Sequence, residues 1–258
     1  MLNILTKVCS GALFFFIVTS PVFAGGTIKI CSDKNLWYPF TFVEKGKAVG
    51  LQIDIISKAL SNLGYDVDYK PLPWKRCLLS AESGDFDAVA TASYKDKRAV
   101  FLNYPVDAST AKKSTQRVMQ VEYVVVTSTD SGYQYAGDVA TIPTPVRVPR
   151  GYSIGDDLKK QGLKVDDGAA GDENNIKKML RKGDGSVVTL PQIVELLSKQ
   201  DAYKGKLNVS TTPVKSKSYY FPFSKASAIT KVDQEKIWTE IANVRNDLEF
   251  MGGMSAKY

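Results

Sequence analysis

A chain of 258 residues, of which 44% are hydrophobic and 24% charged, has the composition of a globular protein and is long enough for two small domains. Its lack of histidine removes the commonest general base and metal ligand, which argues against hydrolases and zinc enzymes. The formal net charge of +7 is spread over lysine-rich turns, so nucleic-acid binding is disfavoured.

The N-terminus has the pattern of an export signal. Lys7 supplies a positive charge, an apolar run (ALFFFIV) follows, and a small-residue cleavage site ends at Ala24. The apolar run is short for a bilayer span, although a retained anchor is the alternative. Cys9 precedes this run, which argues against a lipid modification. We therefore predict a signal peptide over residues 1–24 and export to the periplasm.

The first predicted elements alternate between strand and helix. Residues 27–31 (TIKIC) alternate in hydrophobicity, as a strand does. An aromatic loop follows, in which we expect Phe40 and Phe42 in the core. A helix that begins near Asp54 has one apolar face and ends at Gly64, and a second strand comes after it.

The next stretch, residues 71–105, predicts a helix that Gly84 stops, a short apolar strand over residues 87–92 and a polar turn. In open α/β sheets, small ligands bind beyond the carboxyl ends of the strands. Thr91, Ser93 and Arg98 would lie at that edge. We therefore expect this stretch to form the centre of a binding site.

The second half of the chain shows the same alternation and predicts a second α/β unit. Residues 122–127 (EYVVVT) are apolar almost throughout, as expected of a strand covered on both faces. Further strands are predicted over residues 146–148, 185–190, 207–210 and 219–223, and helices over residues 153–161, 174–181, 191–200 and 233–249.

The cysteine pattern favours one disulfide. Cleavage after Ala24 would leave two cysteines, Cys31 and Cys77. Periplasmic thiols are normally oxidised, so a bond between them is expected, with two separate buried thiols as the alternative. Because the sequence has no Cys-x-x-Cys motif, redox catalysis is disfavoured.

A group of features in the central stretch resembles a known family. Trp74 starts a helix, a Gly-x-x-Asp turn covers residues 84–87, and a hydroxyl-rich strand end leads to Arg98. In this order they resemble the bacterial extracellular solute-binding proteins of family 3, the polar-amino-acid type that serve ABC importers. An ordinary βα unit of another doubly wound protein is the alternative.

The resemblance implies an α/β fold of the two-lobed, periplasmic binding protein-like type (type II). Each lobe would be a mixed sheet flanked by helices, and a two-strand hinge would join the lobes. Lobe 1 would cover residues 25–122 and lobe 2 residues 123–215, with residues 216–258 returning to lobe 1.

The resemblance also assigns Arg98 to a ligand carboxylate, which its guanidinium can bind through two parallel hydrogen bonds. Thr91 and Ser93 match family positions that hydrogen-bond the same end of the ligand. By spacing alone, a surface salt bridge from Arg98 to Asp96 or Asp107 would be the default interpretation.

Further family positions form the rest of the pocket. Trp74 would lie in its apolar wall, with Trp37 or Tyr38 packed against the ligand from the aromatic loop. Ser153 matches a Gly-Thr/Ser element at a helix start, where unpaired N–H groups attract an anion. A simple helix cap is the alternative role for Ser153.

One position departs from the family pattern. Amino-acid binders usually have an acidic residue at the end of a second-lobe strand, where it meets the ligand's ammonium group. Here that position corresponds to Thr189, which cannot offset a desolvated ammonium group. Either Asp33 or Glu44 supplies the charge, or the ligand is not an ordinary α-amino acid.

The resemblance therefore implies a monomeric periplasmic protein that captures an amino acid or related carboxylate between its lobes and delivers it to an ABC importer permease. No catalytic activity, cofactor or metal is expected. Two alternatives remain: an enzyme similar to cyclohexadienyl dehydratases, and a ligand-sensing subunit of a membrane receptor.

Overall fold

The computed structural model describes residues 25–258. The predicted signal peptide, residues 1–24, lies outside the described residues. Between residues 25 and 258, no helix has the length and apolar character that a membrane span requires.

Strands and helices alternate through most of the chain. The strands are β1 (Gly25–Asp33), β2 (Phe42–Glu44), β3 (Lys47–Val49), β4 (Tyr65–Leu72), β5 (Ala88–Val89), β6 (Ala92–Ser93), β7 (Leu102–Asn103), β8 (Met119–Ser128), β9 (Val146–Arg147), β10 (Val165–Asp166), β11 (Ser186–Thr189), β12 (Leu207–Val209), β13 (Lys215–Tyr220) and β14 (Phe223–Ser224). The helices are α1 (Leu51–Asn62), α2 (Trp74–Glu82), α3 (Asp96–Ala99), α4 (Ser153–Lys160), α5 (Asp172–Lys182), α6 (Pro191–Ser198), α7 (Lys231–Asn246) and α8 (Leu248–Lys257), with 3-10 turns at Thr129–Ser131 and Val139–Thr141.

The first lobe is built on a sheet with strand order β4–β1–β5–β14–β7. Its long strand β1 alternates as predicted: Ile28 and Ile30 pack against α1 and α7, whereas Cys31 packs on the other face against α2. β1 runs parallel to β4 and β5, and β14 runs antiparallel to β5. The first lobe is therefore a mixed sheet with helices on both faces.

The second lobe is built on a sheet with strand order β10–β9–β11–β8–β13–β6, with β12 also paired to β8. β9 is parallel to β10 and β11, whereas β8 is antiparallel to β11, β12 and β13. The apolar run predicted at residues 122–127 lies in β8, where Val125 and Val126 are fully buried. Their core cluster includes side chains of α4, α5 and α6.

Two antiparallel strands, β8 and β13, carry the chain between the lobes. Their pairing places Met119 opposite Tyr219 and Tyr123 opposite Lys215. β13 also pairs with β6, which precedes the second lobe in the chain. The chain therefore forms two mixed α/β lobes joined by two strands. The lobe boundaries, expected after residues 122 and 215, stay a prediction.

Two predicted strands are each divided between the sheets. The strand expected over residues 87–92 is split into β5 of the first sheet and β6 of the second, with Thr91 in the break. The strand expected over residues 219–223 is split between β13 and β14 at Pro222, which has no N–H for a sheet hydrogen bond. The Pro222 carbonyl accepts from the Val89 N–H at 3.0 Å. These neighbouring breaks bring Thr91 to the junction of the lobes.

The predicted disulfide between Cys31 and Cys77 is present. Its Cα atoms are 5.6 Å apart, and the two cysteines are separated by 46 positions in the sequence. Both cysteines are fully buried, so the bond joins β1 to α2 inside the core of the first lobe.

Candidate functional site

A cavity lies where the two lobes meet. It has an empty volume of about 380 Å³, which includes the open solvent at its mouth. Aromatic walls surround a few polar groups. The lining residues are Asp33, Trp37, Thr41, Trp74, Thr91, Arg98, Tyr152, Ser153 and Tyr219.

Arg98 is the buried cation of this cavity, with a relative exposure of 7%. Its Nη1 donates to the Ser93 carbonyl oxygen at 3.0 Å and to Ser93 Oγ at 3.3 Å, and its Nη2 donates to the Gly151 carbonyl oxygen at 3.3 Å. Its Cζ atom lies 5.1 Å from the centroid of the Trp74 ring, a cation–π geometry. The guanidinium is thus fixed by neutral groups from both lobes.

No carboxylate within residues 25–258 forms a salt bridge with Arg98. The two acids considered as partners from the sequence bind elsewhere. Asp96 accepts from the Tyr94 hydroxyl at 3.2 Å, and Asp107 accepts from Ser114 Oγ at 2.8 Å. The surface salt bridge considered as an alternative is therefore absent from the described part of the chain.

Ser93, at the end of β6, and Ser153, at the start of α4, meet beside the cavity. Their Oγ atoms are 2.7 Å apart, and Lys217 Nζ donates to Ser153 Oγ at 2.8 Å. Ser153 is the first residue of α4, but the N-cap position is Tyr152 and no side chain caps this helix. The Ser153 hydroxyl therefore faces the cavity beside the unpaired N–H groups of a helix start.

Aromatic rings from both sides form the walls. Trp74 and Tyr152 meet edge to face with centroids 6.4 Å apart, and Trp37 packs on Tyr219 at 4.7 Å. Trp74 Nε1 also donates to the Gly151 carbonyl oxygen at 3.0 Å. Since Arg98 donates to the same carbonyl, the loop before α4 is tied to the first lobe at a single backbone atom.

Three of the predicted site residues, Ser93, Tyr38 and Thr189, lie outside the cavity lining, although Ser93 contacts the lining residues Arg98 and Ser153. Tyr38, next to Trp37 in the loop, is half-buried, packs on Phe42 at 5.5 Å and donates its hydroxyl to the Tyr258 carbonyl oxygen. Phe42 is half-buried rather than in the core where it was expected. Thr189 is fully buried at the end of β11.

The sequence offers Asp33 or Glu44 as the acid that meets the ligand. Asp33 lies in the cavity wall, whereas Glu44 is exposed on β2. Asp33 Oδ2 accepts from the Tyr152 hydroxyl at 2.6 Å, a contact between the lobes. Its Oδ1 accepts from the Asn35 N–H at 3.0 Å. Burial raises the pKa of Asp33, and these hydrogen bonds oppose the rise.

A second buried acid, Asp172, was not singled out in the sequence. It is the first residue of α5, with an exposure of 3%. Burial, together with the charge of Asp33, raises its pKa to about 7. The Thr189 hydroxyl lowers this pKa by its proximity, although it does not reach hydrogen-bond geometry with Asp172. Gly171, which precedes Asp172, faces Asn35 of the first lobe.

The missed signal was a Gly-Asp pair at a helix start. Asp172 and Thr189 lie at the ends of neighbouring elements, α5 and β11, so an acid near Thr189 could come from either. Asp172 lies behind the cavity lining rather than in it. It therefore supplies negative potential close to Asp33.

The family model for bacterial extracellular solute-binding proteins, family 3, matches residues 28–202. The chain belongs to this family. No curated protein matches the sequence. The predicted family is thus confirmed.

Solved structures agree on the fold of this solute-binding protein. A histidine kinase sensor domain with similarity to periplasmic binding proteins has a TM-score of 0.71 at 15% identity, covering 90% of this chain and 95% of its own. The arginine-, lysine-, histidine-binding protein ArtJ of Geobacillus stearothermophilus has a TM-score of 0.67 at 19% identity, covering 90% and 94%. An ancestral amino acid-binding protein, a precursor of cyclohexadienyl dehydratase, has a TM-score of 0.65 at 16% identity, covering 90% and 95%. At these identities the likeness shows the fold alone, and it confirms the predicted two-lobed class.

Proposed function

We propose that this protein is a periplasmic solute-binding protein that captures a small carboxylate-bearing solute, with amino acids as the leading class, and delivers it to an ABC importer permease. The observation that carries the proposal is the buried guanidinium of Arg98, which has only neutral partners among the described residues. A monomer that closes on its solute and then contacts the permease fits this role.

The buried charge of Arg98 indicates a carboxylate at one end of the solute. A buried cation is costly unless it is paired, and a carboxylate forms the strongest pair with a guanidinium. Ser153 adds a hydroxyl and a helix start from the other lobe. Thr91 adds a further hydroxyl in the cavity wall. A solute carboxylate between Arg98 and Ser153 would therefore contact both lobes at once.

Two buried acids, Asp33 and Asp172, indicate a cationic group at the other end of the solute. Asp33 and Asp172 face the same region from different lobes, and burial disfavours the charge of each. An ammonium group in the cavity beside Asp33 would stabilise the charged form of Asp33 directly and that of Asp172 through its field. This arrangement favours an amino acid over a simple carboxylic acid, although Thr189 occupies the position where the family has its acid.

Closure would follow from contacts on both lobes. A ligand shifts an open–closed equilibrium only through the extra interactions that it makes in the closed state. The strands β8 and β13 provide the hinge about which such a closure can occur.

The proposal is tested by a thermal-shift screen of the mature protein against amino acids, organic acids, polyamines and small peptides. A tight solute raises the melting temperature because it binds only the folded state. We expect a response to one or a few amino acids, followed by one-to-one binding in calorimetry. A response to polyamines with none to any carboxylate would contradict the proposal.

The affinity for an amino acid should rise with pH between about 6 and 8. Below its pKa of about 7, Asp172 is mostly protonated and carries no charge to attract an ammonium group in the cavity. Across this window the ionised fraction rises about tenfold, so the affinity should rise by up to the same factor. Calorimetry at several pH values measures it. The variant D172N should bind more weakly with a flat profile, whereas D201N, which removes an exposed acid, should keep the slope.

A sensing role is the second candidate, favoured by the likeness to the histidine kinase sensor domain. Its ligand site would be the same cavity, and only the partner would differ. Pull-down of the ligand-bound protein with membrane fractions, followed by identification of the retained protein, distinguishes a permease from a receptor kinase.

An enzymatic role is favoured by one observation, the raised pKa of Asp172, because a general acid needs a pKa near the working pH. Against it, Asp172 lies behind the lining, and Asp33 is engaged by Tyr152. Incubation with prephenate and arogenate, followed by chromatography, tests dehydration directly.

A further inference from the structure

Helix α4 presents two polar side chains on one face, Ser153 and Asp157, since residues four apart lie one above the other on a helix. Two lysines share the Asp157 carboxylate. Lys95 Nζ lies 3.0 Å from its Oδ1, and Lys217 Nζ lies 2.5 Å from its Oδ2. Lys95 also approaches Asp156 at 3.3 Å. Asp157 is therefore the centre of a cluster of charges beside the solute cavity.

The members of this cluster come from three parts of the fold. Lys95 is the N-cap residue of α3, two residues after the end of β6, and α3 leads directly into β7 of the first sheet. Lys217 lies in the hinge strand β13, opposite Val121 of β8. Asp157 belongs to the second lobe. One carboxylate thus ties the second lobe both to the first lobe and to the hinge.

The charges are largely removed from solvent. The side chains of Lys95, Asp157 and Lys217 have relative exposures of 11%, 20% and 10%. Ion pairs at such burial are screened little by salt, and removal of one partner leaves the others buried without compensation. This separates the cluster from the exposed pairs of the surface, which contribute little.

The cluster continues into the anion-binding part of the cavity. Lys217 Nζ donates to Ser153 Oγ, and Arg98 Nη1 donates to Ser93 Oγ. Each serine oxygen therefore accepts a charge-assisted hydrogen bond from a different cation, while the two oxygens share one hydrogen bond. The position of α4 thus decides how the Ser153 hydroxyl meets Ser93 and the cavity.

We propose that Asp157 is an ionic latch: by pairing at once with Lys95 and Lys217, it holds the closed lobes together and positions the start of α4 against Ser93. The latch raises solute affinity without contacting the solute. This last consequence rests on the proposed binding function, whereas the latch itself is a property of the protein alone.

The test measures the distance between the lobes in the full mature chain without added solute. Spin labels attached at K58C on α1 and R181C on α5, both exposed positions, report the open and closed populations by pulsed electron resonance. We expect D157N to lower the ratio of closed to open molecules about tenfold, because it leaves buried Lys217 without a carboxylate and Lys95 with Asp156 alone. An unchanged distance distribution would overturn the proposal.

Matched variants make the result specific. D167N removes an acid of the same lobe that pairs with Lys159 at 3.0 Å in an exposed position, and it should leave the distribution unchanged. K95M should open the lobes as D157N does, and the double variant should add little, since D157N already removes the pair between Lys95 and Asp157. An equal shift in D167N, or full additivity of D157N and K95M, would also overturn the latch. Failure to find any solute would count against the binding function and leave this measurement unaffected.

Discussion

Replacement of Arg98 by methionine is expected to lower the affinity for the solute identified in the screen by about a thousandfold, while the fold persists. Truncating one partner of a buried charged pair typically costs several kcal/mol, which corresponds to this factor. Methionine keeps an apolar stem against Trp74, so the cavity wall is preserved. Titration calorimetry measures the affinity, and circular dichroism with thermal melting measures the fold.

The control for this variant is R76M, which removes an exposed arginine from α2 in the same lobe. It should bind the solute as the wild type does. R98K keeps a charge but loses the planar pair of donors, so it should fall between the two. An R98M variant with wild-type affinity would remove Arg98 from the site and, with it, the argument for a carboxylate ligand.

Local pattern was enough to predict the parts of the fold that depend on neighbouring residues. The alternation in β1 predicted which face Ile28 and Ile30 share, and the apolar run in β8 predicted a strand covered on both faces. Spacing along one helix–strand unit brought Thr91 and Arg98 to one edge. These predictions succeed because burial repeats with the period of the element.

The failures arise where the tertiary structure overrides local pattern. The strand predicted at residues 87–92 divides because its two ends pair with different sheets, which no local period reveals. Tyr38 and Trp37 are neighbouring aromatic residues in one loop and look alike in the sequence, yet the Tyr38 hydroxyl binds the carbonyl oxygen of the distant Tyr258. Asp172 lies near the region predicted from Thr189, but it comes from the start of a different element.

The contacts between the lobes could not be predicted at all. The Gly151 carbonyl accepts from both Trp74 and Arg98, and a backbone oxygen has no signature in the sequence. The charge cluster on Asp157 joins residues that are about 60 positions apart, and each of them looks like an ordinary surface charge by composition. The contacts that hold the two lobes together can therefore be found only from the structure.

Removal of the disulfide in the double variant C31A/C77A is expected to lower the free energy of unfolding by about 4 kcal/mol. A bond across 46 positions restricts the unfolded chain, and the loop-closure model gives a loss of this size. Chemical denaturation followed by tryptophan fluorescence measures it. Wild-type protein unfolded under reducing conditions should approach the midpoint of the variant, whereas the variant should not respond to the reductant.

The same variant should also weaken solute binding at temperatures where it is folded. Cys31 lies two residues before Asp33 in β1, and Cys77 lies one helical turn after Trp74 in α2, so the bond fixes one acid and one wall of the cavity relative to each other. Without it, α2 is held to β1 by apolar packing alone. A variant that loses stability but keeps full affinity would show that packing by itself positions Trp74. If stability were also unchanged, the two cysteines would be unbonded in the purified protein.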